Sequence, residues 1–281
     1  MVVPAVNGAL SILNSAYKHA GPQLESFVIT SSFAAVSDPS KRPYTFTAAD
    51  WNTWAEAEHK KLGSDTPPTV LYPASKAAAE RAIWDFRDEN KVCTCSPHSN
   101  RYCGTNCHKP PFAITSINPA VVTGPPVQPP SSPVNLNETL KPVWGLFSGS
   151  VTTIPPAIGS AGYIDVRDVS AMHVWATEHP KQANGQRYLM AKGRGVPQAI
   201  ADILRRRFPE RKGVIPEGTP GEGYVPGYDW PEGGARLDME PAKQALGREM
   251  VGFEESVLDT VAVFQKVYGK ELGEGGRDEG E

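Results

Sequence analysis

The sequence predicts an α/β protein, a parallel sheet covered by helices on both faces. Three observations carry that expectation. Stretches with helical periodicity alternate with short apolar runs up to residue 120. Those short runs are β-branched and aromatic, as strands of a buried sheet are. The length, 281 residues of which 40% are apolar, suffices for one large domain or two smaller ones with ample core.

Taken in order, residues 4–19 read as an amphipathic helix, with Val6, Leu10, Leu13 and Tyr17 on one stripe and Gly21-Pro22 as its stop. Residues 25–30 read as a strand that delivers Ser31 and Ser32 to the edge of a sheet. A turn-rich loop over 37–42 follows, then a helix over 51–62 closed by Gly63. Thr66-Pro67-Pro68 leads into a helix that runs to about Glu89. Pro73 is expected in its opening turn, where a missing N–H costs least. Residues 114–120 are the next strand, ending at Asn118-Pro119.

After Gly124-Pro125-Pro126 the composition changes. A proline and serine loop over 129–133 precedes a helix over 137–147 and a loop over 153–162. A strand then turns into a helix near Val169. Asp165 and Asp168 invite reading as a catalytic carboxylate pair, but Asp168 sits where an N-cap belongs and needs no chemistry. His173 reads as a packing or hydrogen-bonding residue. Residues 187–191 form a strand, and 197–208 a helix whose Arg205, Arg206 and Arg207 suit a C-terminus. An extended Gly/Pro loop over 216–234 leads to helices over 238–246 and 253–268. The acidic, glycine-rich residues 271–281 read as a disordered tail.

Chemistry concentrates in two places. Tyr72 and Lys76 lie four residues apart on a helix, hence on one face within reach of each other. Ser31 and Ser32 stand at a strand end, where a hydroxyl can polarise a carbonyl that the phenol protonates. The spacing alone is weak evidence. Tyr188 and Lys192 repeat it by chance, but in a strand context whose period of two separates the side chains, so both read as ordinary exposed residues.

Together with these, the runs FVITSSFAAV, DWN, YPASKAAAERAIWDF, ITSINPAVVTGP and YIDVRDVSAMHV resemble the extended short-chain dehydrogenase/reductases of the NAD-dependent epimerase/dehydratase type. The nearest branch comprises fungal NADPH-dependent aldehyde, ketone and methylglyoxal reductases, which are similar to plant dihydroflavonol and cinnamoyl-CoA reductases. The resemblance covers most of residues 1 to about 270. It implies a Rossmann-type sheet over 1–125, and a smaller substrate-binding part over 126–270 that returns to the main sheet at 163–178. It further implies NADP as cofactor and reduction of an aldehyde or ketone by hydride transfer. By motif position Ser32, Tyr72 and Lys76 would be catalytic, with Ser31 as the fallback serine. Tyr72 would act as general acid, Lys76 would support it and bind the nicotinamide ribose, and both Tyr72 and Lys76 would belong to the cofactor-binding set. Pro119, Ala120 and Val122 match the segment lying against the nicotinamide ring, and Phe33, Trp144 and the 153–162 loop would build the substrate pocket.

Two departures stand out. No glycine fingerprint of the strand–turn–helix kind that receives a pyrophosphate precedes Tyr72. Against the family pattern the chain begins inside the helix before the serine strand, so an incomplete sheet is expected, and an N-truncated inactive remnant is the alternative to an active reductase. Residues 92–108, which hold all four cysteines (Cys93, Cys95, Cys103 and Cys107), read as an insertion without family counterpart. A zinc site there is the competing reading, weakened by the lack of paired C-x-x-C spacing, so no metal is expected.

A net charge of −3 and a pI near 6.1 provide no basic footprint for nucleic acid or an anionic membrane. No apolar run is long enough to span a bilayer, and nothing resembles a signal peptide, so a cytosolic protein acting on a small-molecule carbonyl substrate is expected. The oligomeric state is open.

Overall fold

The computed structural model describes residues 1–41, 43–90, 92–93, 107–108, 110–160 and 162–272. In chain order the elements are α1 (Val2–His19), β1 (Ser26–Thr30), β2 (Tyr44–Phe46), α2 (Thr53–Leu62), α3 (Pro68–Glu89), β3 (Val92–Cys93) and β4 (Cys107–His108). Then come β5 (Ala113–Pro119), β6 (Val121–Thr123), α4 (Lys141–Ser148), β7 (Gly162–Asp165), α5 (Val166–Glu178) and α6 (Pro180–Ala183). The chain finishes with β8 (Arg187–Met190), β9 (Gly193–Arg194), α7 (Pro197–Arg207), β10 (Ala235–Leu237), α8 (Glu240–Leu246) and α9 (Phe253–Tyr268). The α/β class with parallel pairing is as expected.

The chain divides into two compact units, each assembled from three separate segments. The first comprises Met1–Pro119, Ala171–Met190 and Ala235–Gly247. Its centre is a parallel sheet in the order β1-β5-β8, with Thr30 opposite Ile117 and Pro119 opposite Met190. Every residue of β5 is buried, the pattern of a strand covered on both faces. α1 lies on α3, and Leu13, Ile83, Phe86, Phe112 and Ile114 form a core there, with Tyr17 edge-on to Phe86. α2 packs on α3 through Ala55, Val70 and Ala74. Away from this sheet β2 pairs in parallel with β10.

α3 opens a turn earlier than its residue pattern suggests. The Pro67 carbonyl already accepts from the amides of Val70 and Leu71, so Pro73 is the sixth helical residue rather than one of the first turn. The helix-starting prolines are Pro67 and Pro68, and α3 carries Pro73 inside it.

The second unit comprises Ala120–Ser170, Ala191–Gly234 and Arg248–Glu281. Here β6 and β7 pair in parallel, and β9 joins β7 antiparallel. α4, α7 and α9 enclose a core that includes Leu146, Phe147, Tyr163, Leu204, Phe253 and Phe264. α5 begins at Val166, directly after β7, so Asp168 falls within its first turn and does not cap it. The buried Asp168 carboxylate instead meets Arg248 at 2.7 Å and accepts from the Val251 amide at 2.9 Å.

Of the cysteine segment, the structure describes only β3 and β4, which pair antiparallel. The cysteine and zinc readings otherwise lie outside the described residues, as does the tail beyond Leu272. Among the described residues no three histidine, cysteine or acidic side chains converge as metal ligands. No helix among them is long and apolar enough to cross a membrane.

Candidate active site

The parallel pairing of β1, β5 and β8 puts their carboxyl ends on one edge of the first unit's sheet. That edge is where open α/β sheets bind their ligands. Ser31 and Ser32 follow directly on β1, and Pro119 ends β5. The Ser31 amide donates to the Ile117 carbonyl, which extends the pairing one residue past the strand.

The two serines have different partners. Ser31 donates its hydroxyl to Glu80 Oε2 at 2.5 Å. Ser32 is the N-cap of a short 3-10 turn over Phe33–Ala35, and its oxygen accepts from the Ala34 amide at 3.1 Å. Capping uses a lone pair and leaves the O–H of Ser32 free to donate. α3 packs against this same turn.

On α3 Tyr72 is 46% exposed. The Lys76 ammonium stands 5.8 Å from the centre of the Tyr72 ring, so the pair does meet across one helical turn. Among the described residues Lys76 has no ion pair. An exposed phenol and an uncommitted ammonium on one face can bind sugar hydroxyls and hand over a proton, which is what a nicotinamide ribose and a carbonyl require. These residues therefore fit the cofactor expected from the sequence.

Tyr188 of the second Tyr–Lys pair lies in strand β8, as expected, and is buried as well. Tyr188 is only 5% exposed, and burial pushes its phenol above the ordinary value of 10. Lys192 donates to the Met250 carbonyl. Neither is an ordinary exposed residue, which corrects the expectation while leaving its conclusion intact. His173 does hydrogen-bond, its Nε2 lying 2.7 Å from Thr30 Oγ1.

Residue reading missed what lies beneath the serines. Glu80, 2% exposed, accepts from Ser31, Ser116 (2.8 Å), Asn118 (2.7 Å), Trp84 (3.3 Å) and Arg187 (2.7 Å). Burial alone would raise its carboxyl, but Arg187 and the hydroxyl donors outweigh it and hold the group below the ordinary 4.5. Arg187 also donates to the carbonyls of Ala48 and Asp50 and stacks 3.8 Å from the Trp51 ring centre. A signal did exist: Glu80 is the one acidic residue directly after Ala77-Ala78-Ala79, a turn beyond Lys76 on the helix face that faces the sheet.

Of the residues expected to build the pocket, Phe33 is buried edge-on to Phe46, and Trp144 packs edge-on against Phe264 and Tyr268. Ala120 and Val122 belong to the second unit, Val122 within β6. In that unit Ile154, Pro155 and Ala157, all from the 153–162 loop, line a cavity of 660 Å³ together with Gln198 and Thr219.

Known proteins of similar sequence share this fold. The NADPH-dependent methylglyoxal reductase of Saccharomyces cerevisiae is 33% identical over 276 residues, covering 96% of this chain and 72% of that protein. The chain belongs to the extended short-chain dehydrogenase/reductase family. A cinnamoyl-CoA reductase of Medicago truncatula is 30% identical over 262 residues, spanning 93% of this chain and 66% of the plant protein. The crystal structure of yeast methylglyoxal/isovaleraldehyde reductase complexed with NADPH superposes with a TM-score of 0.75, covering 96% of this chain and 72% of that one. No family model matches the chain.

Proposed function

We propose that this chain is an NADPH-dependent oxidoreductase that reduces the carbonyl of a small aldehyde or ketone, with Ser32, Tyr72 and Lys76 as its catalytic set. The observation that carries the reading is the meeting of the exposed Tyr72 with the half-buried Lys76 on α3, the helix packed against the turn that Ser32 caps. The relatives are reductases named for methylglyoxal and cinnamoyl-CoA, both carbonyl compounds. No observation on the chain favours the inactive alternative.

Bound NADPH supplies the hydride for the carbonyl carbon. The chain's own groups manage the oxygen. Ser32 donates its O–H to the carbonyl oxygen and orients it, the role of a preorganised donor aimed at developing charge. Tyr72 gives its phenolic proton to the same oxygen, so that C=O becomes CH–OH. Lys76 stabilises the phenolate left behind and binds ribose hydroxyls. Pro119, at the carboxyl end of β5, with Ala120 and Val122, would border the nicotinamide.

The test is NADPH oxidation with a panel of small aldehydes and ketones. Tyr72→Phe removes only the proton donor, so its turnover is expected to fall by about 10²-fold or more while cofactor affinity holds. Tyr188→Phe is the control and should keep the wild-type rate. Equal loss in both variants would remove Tyr72 from the mechanism.

A further inference from the structure

One buried carboxylate joins the catalytic helix to the strand ends it serves. Tyr72, Lys76 and Glu80 follow one another at single-turn intervals on α3, from the exposed phenol to a carboxylate with 1% of its side chain exposed. Glu80 Oε2 takes the Ser31 hydroxyl (2.5 Å) and the Asn118 amide (2.7 Å), and that amide also donates to the Ser32 carbonyl at 3.2 Å. Oε1 takes Ser116 of β5 (2.8 Å) and Arg187 of β8 (2.7 Å). Two parallel strands, β5 and β8, and the serine-bearing segment that follows β1 are thus tied to one point on the helix of Tyr72.

Stability alone does not account for such a device. Burying an ion pair costs desolvation that apolar residues of similar size avoid, so a buried salt bridge is weak evidence of a stabilising role. What the arrangement does provide is register. Ser31 is held on Glu80, so of the two adjacent hydroxyls only that of Ser32 remains to meet a substrate oxygen. Misplacing a reacting group by about 1 Å can cost ~10²-fold in rate.

We propose that Glu80 is a positioning residue of the reductase site. It assigns Ser31 to structure and Ser32 to substrate, and fixes Ser32 relative to Tyr72. This inference rests on the reading of Ser32, Tyr72 and Lys76 as the catalytic set.

The test uses the full chain, NADPH and the best aldehyde of the panel, with kcat, KM, NADPH affinity and thermal midpoint measured together. Glu80→Gln keeps the size but cannot serve five donors, and kcat should fall by at least about tenfold with KM and NADPH affinity within about twofold. Leu13→Ala, in the α1–α3 core, is the control for a purely structural loss and should lower the midpoint while sparing kcat. Should Glu80→Gln fail to fold, Ser31→Ala leaves the Glu80–Arg187 pair whole. It is expected to lose about fivefold in kcat at unchanged KM, with the rate restored by Ser31→Thr. A folded Glu80→Gln, or a Ser31→Ala, within about twofold of the wild-type kcat overturns the proposal. A wild-type chain inactive on every carbonyl, or an active Tyr72→Phe, overturns the reading of the site and this proposal with it. An active wild type, a dead Tyr72→Phe and a normal Glu80 variant overturn the positioning role alone.

Discussion

Ser31 and Ser32 show how much depends on a single partner. They are adjacent hydroxyls at a strand end, and alternation on a strand says only that they point different ways. Glu80 tells them apart by accepting the hydroxyl of Ser31 and not that of Ser32. Similar carboxylates occur elsewhere, and together they are expected to set the acid limit of the fold. Burial pushes Glu80, Asp165 and Asp50 up. Arg187 outweighs it for Glu80, Arg167 for Asp165, and the Thr47 amide with the Tyr44 hydroxyl for Asp50, so all three end lower than in a free chain. A carboxyl whose folded value is depressed contributes stability that is complete above its unfolded value and is lost as pH falls through the folded one. Urea unfolding should therefore give a constant free energy from about pH 7 down to about pH 5 and a falling one below about 4.5. A free energy that stays flat to about pH 3 would show that these pairs hold nothing in the native state.

Among the elements, α3 bears Tyr72, Lys76 and Glu80 together. α3 could be recognised from its alanines and its Tyr–Lys spacing, yet its start was displaced. Pro73 resembles a helix opener, but Pro67 and Pro68 provide a stronger one a turn earlier. The start of α5 was displaced for a related reason. A capping residue type at Asp168 suggests a boundary, but a buried aspartate paired with Arg248 satisfies its carboxylate by tertiary contact instead. In the second unit Gly124 follows β6 with φ +103°, and a Cβ there would come within 2.5 Å of Asp165 Oδ2. Asp165 cannot yield, because Arg167 grips both of its oxygens. Gly124→Ala should cost about 2–3 kcal/mol, read as a lower midpoint in urea, from the strained backbone and the clash together. An unchanged midpoint would mean that the turn after β6 relaxes freely.

For the molecule as a whole, the chain passes repeatedly between its two units, and neither is a continuous stretch of sequence. The sheet bearing the serines is completed by β8, from residues 187–190, and Arg187 reaches Glu80 from there. Residues 1–119 expressed alone keep α1, α3, β1 and β5 but lose that arginine, leaving a buried carboxylate unpaired, which costs about 3–5 kcal/mol. This fragment is expected to show no cooperative thermal transition, whereas the full chain shows one. A sharp transition in the fragment would mean that the first unit does not need its later segments.

Local pattern was enough to reveal the α/β class, the strands at 26–30 and 113–119, the last helix at 253–268 and the Tyr72–Lys76 pair. Each depends on periodicity or on contacts within one helical turn, and those are written in consecutive residues. The partner of Ser31, the burial of Tyr188 and the placement of Asp168 depend on residues 49, 13 and 80 or more positions away, or on which strand lies next to which. Those were decided only when the chain closed on itself, because hydrogen bonding and desolvation act across space and leave no period in the sequence.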